Sequence, residues 1–162
     1  MPVLLIVHHT TSPALHSLFD AVMTGAREAH DPAAPVDVVA RPALAATAVD
    51  VLAADAYVLG TPANLGYMSG ALKHFFDQIY YPCLEATARR PYACYIHGNN
   101  DTAGALRSIQ TVVTGLRWDL AQAPLEVVGT PHKAHLEAAW ELGAALAARL
   151  SLDARELHLP PP

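Results

Sequence analysis

Gly60-Thr61-Pro62-Ala63-Asn64-Leu65-Gly66-Tyr67-Met68-Ser69-Gly70-Ala71-Leu72-Lys73-His74-Phe75-Phe76-Asp77-Gln78 is the most informative segment of the chain. It follows the apolar run Ala56-Tyr57-Val58-Leu59, which reads as a buried strand. Glycine and proline then punctuate a loop. Ser69 is placed to cap a helix in which Leu72, Phe75, Phe76 and Ile79 recur at core spacing. A buried strand passing through such a loop into a helix is the repeating unit of an open α/β sheet. In these sheets ligands sit in the crevice beyond the carboxyl ends of the strands. The stretch therefore predicts both a fold class and the edge of the sheet where a site belongs.

The same unit repeats outward in both directions. Val3–Val7 is a continuous run of leucine and β-branched residues, and reads as a strand covered on both faces. It has neither a basic region before it nor a small-residue cleavage site after it, so it is not read as a signal peptide. Ser12-Pro13 then pairs an N-cap residue with proline at the first helical position, and Leu15, Leu18, Phe19, Val22 and Ala26 form one helical face. Val36–Val39 reads as a second strand, and Thr47-x-x-Asp50 approximates a capping box. Downstream, Tyr92–Ile96 is a fourth strand. A helix on Leu106, Ile109, Val113 and Leu116 follows, then a fifth strand, Leu125–Val128. A last helix carries Leu136, Ala139, Trp140, Gly143, Ala147 and Leu150. Alternating elements with short connections predict an α/β three-layer sandwich, a five-stranded parallel sheet in the order 2-1-3-4-5 with helices on both faces. Residues 1–159 read as one domain, and the Pro160-Pro161-Pro162 tail as frayed.

Composition narrows the function. No apolar run reaches the length of a membrane span, and a net charge of −5 with scattered basic residues is wrong for nucleic acid. Cys83 and Cys94 lack CxxC spacing and read as reduced thiols of a cytoplasmic protein. The nine histidines form no HExxH or comparable set, so no metal is expected.

The predicted strand order brings three loops together. In His8-His9-Thr10-Thr11-Ser12-Pro13-Ala14-Leu15, three consecutive hydroxyl side chains precede a helix whose first amides have no intrahelical partner. The loop is either an anion cradle or a simple cap with solvated threonines. In Thr61–Tyr67, Pro62 stiffens the backbone, Gly66 permits close approach, and Leu65 or Tyr67 can cover a flat ring; the alternative is an ordinary strand-to-helix connection. In Ile96–Gly104, Asn99, Asn100 and Asp101 suit a tight turn, and Asp101 or Thr102 is placed to cap the next helix.

The segment Gly60–Gln78 resembles the ring-binding loop of the flavodoxin-like FMN reductases, a family that includes the NAD(P)H:quinone reductases of the tryptophan-repressor-binding-protein type. The resemblance spans essentially the whole chain and is densest over residues 55–79. It implies FMN as cofactor, with Thr10, Thr11, Ser12, Ala14 and Leu15 around its phosphate. Pro62, Ala63, Asn64, Leu65, Gly66 and Tyr67 would lie along the ring edge, and His97, Gly98, Asn99 and Asp101 on the pyrimidine side. His97 and Asp101 are the titratable residues of that third loop, placed to tune the flavin or relay a proton. Pro13, Ala14 and Leu15 depart from the family pattern of glycines and a polar residue, and Pro13 removes one amide donor.

The implied activity is electron transfer from NAD(P)H, a transient co-substrate, through the flavin to a quinone-like or other small acceptor. The chemistry sits on the cofactor and needs no catalytic residue from the protein. No GxGxxG fingerprint offers a separate nicotinamide site. A homodimer or homotetramer is implied too; Phe75-Phe76 and Tyr80-Tyr81 either form an interface segment or, respectively, face the core and end the helix. Two alternatives stand beside this reading: a flavodoxin-type electron carrier, and a flavodoxin-like module with weak or no flavin binding. Carriers tend to be strongly acidic and to sandwich the ring between aromatics. A charge of −5 and an aromatic content of 7% favour the reductase.

Overall fold

Leu4 and Ile6 point to one side of the first strand, and Leu5 and Val7 to the other; all four are fully buried. That double burial requires helices on both faces, and the computed structural model, which describes residues 1–158, shows them. The expected frayed tail, Pro160–Pro162, lies outside the described residues. The elements are β1 (Val3–His8), α1 (Pro13–Glu28), β2 (Asp37–Pro42), α2 (Ala48–Ala53), β3 (Ala56–Asn64), β4 (Tyr67–Met68), α3 (Gly70–Cys83), β5 (Pro91–Gly98), α4 (Ala103–Leu116), β6 (Asp119–Leu120), β7 (Leu125–Val128) and α5 (Lys133–Glu156). Helices α1 and α5 cover the Leu4/Ile6 face; α2, α3 and α4 cover the Leu5/Val7 face.

The sheet order is β2-β1-β3-β5, with β6 and β7 both along the outer edge of β5, and every pair among these is parallel. This is the predicted 2-1-3-4-5 order, with β5 as its fourth strand and its fifth divided into β6 and β7. The interruption falls over residues 121–124, where Pro124 has no amide to donate to the ladder.

The caps are local and follow the sequence. Ser12 Oγ accepts the Leu15 amide, and Ser69 Oγ accepts the Leu72 amide. At α2 the Thr47 amide donates to Asp50 while the Asp50 amide donates to Thr47 Oγ1, so both halves of the box are made. Phe75 and Phe76 are buried in the core, which takes them out of the expected interface segment and leaves Tyr81 as its exposed member.

Strand β3 is longer than its apolar run. It continues through Gly60-Thr61-Pro62-Ala63-Asn64 and turns back into β4, with Ala63 opposite Met68 and Asn64 opposite Tyr67. Pro62 is tolerated because β1 ends beside Gly60, leaving that side of β3 without a partner strand. Leu65 and Gly66 form the two-residue tip, both at positive φ (51° and 72°), the backbone of a type I′ hairpin. Glycine suits this conformation and leucine does not. Leu65→Asn is expected to stabilise the fold by about 1 kcal/mol, read as a higher urea midpoint at unchanged slope.

Candidate functional site

From β1 the chain crosses to one neighbour of the sheet, and from β3 to the opposite side, so the topological switch point lies between these strands. A cleft of about 640 Å³ opens there, at the carboxyl edge. Of the residues picked out in the sequence, Thr11, Ser12, Ala14, Pro62, Ala63, Asn64, His97, Gly98 and Asn99 line it. All three expected loops thus meet in one cavity. Thr10, Leu15, Leu65, Gly66, Tyr67 and Asp101 do not line it.

Those six have other placements. Leu15 is buried against the sheet, and its amide is taken by Ser12 Oγ at 3.2 Å. Thr10 Oγ1 lies 2.8 Å from Nδ1 of His8. Leu65, Gly66 and Tyr67 are the exposed hairpin tip. Asp101 accepts the Ala103 amide at 2.9 Å, the capping role read from its turn. Thr102 does not cap; its hydroxyl donates to Glu126 at 2.9 Å.

The first wall is an anion-type surface without charge. Proline at the first position of α1 leaves the Ala14 amide as the free donor of the opening turn, because the helix has no earlier carbonyl to receive it. The Thr11 and Ser12 amides take no backbone acceptor among the described residues, and the Thr11 side chain is exposed. The positive end of the α1 dipole points the same way. No Lys, Arg, Asp or Glu lines the cleft.

The second and third walls are held together by close approaches. Thr61 Oγ1 donates to the Pro62 carbonyl and accepts the Ser69 amide, tying hairpin to helix cap. The Met68 amide donates to Ser108 Oγ of α4 at 3.0 Å. Gly104, in the first turn of α4, sits against the hairpin tip so tightly that a Cβ there would lie 2.1 Å from the Gly66 carbonyl oxygen. A Cβ on Gly98 would meet the Asp101 carbonyl oxygen at 2.9 Å and Ala63 Cβ at 3.2 Å. His97 is 8% exposed and its Nε2 donates to the Gly129 carbonyl at 2.8 Å, so its ring tethers β5 to the next loop.

That next loop is a fourth wall the sequence reading missed. Gly129, Thr130, Pro131 and Leu136 line the cleft, as does Ser17 of α1. A signal was present: Gly129-Thr130-Pro131 repeats Gly60-Thr61-Pro62, each triplet following an apolar strand. In a parallel sheet the ends of both strands share one edge.

Comparison with known proteins bears on the fold. No protein-family model matches the chain, and no curated protein matches it in sequence. Solved structures do match. A flavodoxin from the domain Archaea superposes with a TM-score of 0.76 at 15% identity, covering 91% of this chain and 98% of that one. The flavodoxin, WrbA-like protein from Agrobacterium tumefaciens gives 0.69 at 18% identity, over 96% and 99%. The flavodiiron protein from Giardia intestinalis gives 0.77 at 14%, over 98% of this chain but 38% of that longer one. The fold is flavodoxin-like. Among the described residues no helix is long and apolar enough to cross a membrane, and no three His, Cys, Asp or Glu side chains are grouped to hold a metal ion.

Proposed function

We propose that this chain binds FMN at the switch-point cleft and passes electrons between NAD(P)H and a small, quinone-like acceptor. The observation that carries the reading is the convergence of the three loops on one uncharged cavity next to the free amides of α1. Thr11, Ser12 and Ala14 would hold the phosphate. Pro62, Ala63 and Asn64 would line the ring edge, and Gly98 and Asn99 would offer amides on the opposite side. A bound flavin would supply reversible two-electron chemistry. The chain orients it and shields one side with the β3–β4 hairpin. His97, engaged with Gly129, would act by placing the fourth wall.

The donor set fits a phosphate monoester in its chemistry. Hydroxyls, amides and a helix end suffice for such a group without a cationic side chain. One observation favours a second reading, the electron carrier: a nicotinamide dinucleotide brings two further phosphates, and no Lys or Arg lines the cleft to meet them. Adding FMN to the purified protein and then NADPH anaerobically separates the readings. Flavin bands that bleach with NADPH support the reductase. Bands that persist until a separate reductase is added support the carrier, and a protein that ignores FMN is the module without flavin.

The phosphate assignment has its own test. Thr11→Ala with Ser12→Ala is expected to weaken FMN binding at least about tenfold, since hydrogen bonds to a charged group contribute about 1.5–3 kcal/mol. Losing the Ser12 cap costs about 1 kcal/mol, too little to unfold the protein, so fluorescence titration of FMN reads the site directly. Unchanged affinity would remove phosphate from that loop. A homodimer or homotetramer completing the pocket belongs to the same proposal, and sedimentation velocity measures it.

A further inference from the structure

His8 is the last residue of β1 and stands directly behind the anion loop. Its backbone is fixed on both sides: the Ala43 amide donates to its carbonyl at 2.8 Å, and the following amide, of His9, donates to Gly60 at 2.9 Å. The ring is fixed too. It stacks on Phe19 of α1 with centroids 4.1 Å apart and planes inclined by 29°. In this pose Nδ1 lies 2.8 Å from Thr10 Oγ1. The imidazole and the first hydroxyl of the loop therefore form a rigid pair, and the ring cannot turn away without leaving Phe19.

We propose that His8 is the positioning residue of the anion loop, setting the direction of the Thr10 hydroxyl and coupling the loop's grip on a phosphate monoester to its own protonation. The inference rests on the flavin reading given above. When the ring proton is on Nε2, Nδ1 is an acceptor, and the Thr10 hydroxyl must donate to it. The hydroxyl proton then points back into the protein. When Nδ1 carries a proton, it donates to Thr10 Oγ1, and the Thr10 hydroxyl, which lies outside the cleft lining but next to Thr11, is free to donate toward an anion held there. The imidazolium is always in this second arrangement and adds a positive charge behind the loop.

An anion in the loop thus favours protonated His8, and by reciprocity protonation favours the anion. Burial, and next the neighbouring His9, lower the His8 pKa from the ordinary histidine value, which favours the neutral ring in the absence of an anion. The other titratable groups on flanking elements are otherwise engaged or distant in bonding. His9 Nδ1 is buried without a partner. On α1, His16 and Asp20 face one another at 3.9 Å in solvent. Arg41 of β2 pairs with Asp50 of α2 at 3.6 Å. On α5, Lys133 and Glu137 pair at 3.8 Å, and His135 Nδ1 accepts the His132 amide. On β5, the Tyr95 phenol is fully buried without a partner, across Gly60 from His8. None of these hydrogen-bonds to the His8 ring.

The test uses inorganic sulfate as the anion, because its charge does not change between pH 5 and 8, unlike that of a phosphate ester. The His8 ring is followed by NMR over this range with and without sulfate, and FMN affinity is measured separately. Sulfate is expected to move the His8 midpoint up by at least about half a pH unit, and Thr10→Val to abolish that movement. His8→Phe, which keeps the stack on Phe19, is expected to lose about tenfold in FMN affinity and to flatten its rise toward acid pH. His8→Asn, which returns a polar group near the Nδ1 position, is expected to recover most of the affinity but not the pH dependence. If FMN binds while sulfate leaves His8 unmoved and His8→Phe binds like the parent at pH 5.5 and 7.5, the proposal is overturned and the flavin site stands. If sulfate moves His8 but FMN does not bind, the coupling stands and the flavin reading fails. No response to either ligand would overturn both.

Discussion

Gly25→Val is expected to lower stability by about 3 kcal/mol, and Tm by about 6–12 °C. The cause is the crossing of α1 and α5 on one face of the sheet. A Cβ on Gly25 would lie 2.0 Å from the Trp140 carbonyl oxygen, and one on Gly143 would lie 2.1 Å from that of Val22. Each glycine thus faces the other helix's backbone, which has no rotamer by which to yield. A branched side chain must drive the helices apart, opening gaps around buried Val22, Ala26, Ala139 and Ala147. Gly70→Ala is the matched control, because nothing lies within 4 Å of a Cβ there. Thermal unfolding monitored by circular dichroism compares the two. Equal melting temperatures would show that the helices do not approach as closely as described.

Gly104→Val is the second large effect, and it falls on the site. The clash is with the Gly66 backbone at the tip of the β3–β4 hairpin, so relief requires the hairpin to move off α4. That movement stretches the bond from the Met68 amide to Ser108 and shifts Asn64, which lines the cleft. A stability loss of about 1–3 kcal/mol is expected from overpacking. If the flavin reading holds, FMN affinity falls at least about tenfold, since placement errors near 1 Å weaken a preorganised contact severely. Riboflavin, which lacks the phosphate, is the informative second ligand. Gly104→Val should weaken both ligands alike, whereas the Thr11/Ser12 double variant should weaken FMN alone. Loss confined to FMN in the Gly104 variant would place the hairpin outside the ring site.

Much of this architecture is written in short-range pattern. The double burial of Val3–Val7, the caps at Ser12, Thr47 and Ser69, and the spacing of Leu72, Phe75, Phe76 and Ile79 all depend on residues a few positions apart. Such signals survive in a linear reading because the physics that produces them is local. The split of the last strand was less legible, since one proline among polar and small residues marks either a turn or a bulge. The extension of β3 was illegible for another reason. Pro62 argues against a strand unless one knows that β1 stops beside Gly60.

The site divides in the same way. Residue order alone establishes that hydroxyls precede α1, that a rigid glycine- and proline-marked loop follows β3, and that both belong to the carboxyl edge of one parallel sheet. What each side chain does there depends on the packed fold. It buried Leu15, gave Asp101 to a helix cap, lifted Leu65 and Tyr67 to the hairpin tip, and brought Gly129–Pro131 in as a fourth wall. It also paired His8 with Thr10, a contact that needs Phe19 from the next helix to hold the ring in place. Spacing along a chain fixes which face of an element a residue occupies; which partner that face meets depends on packing between elements far apart in sequence.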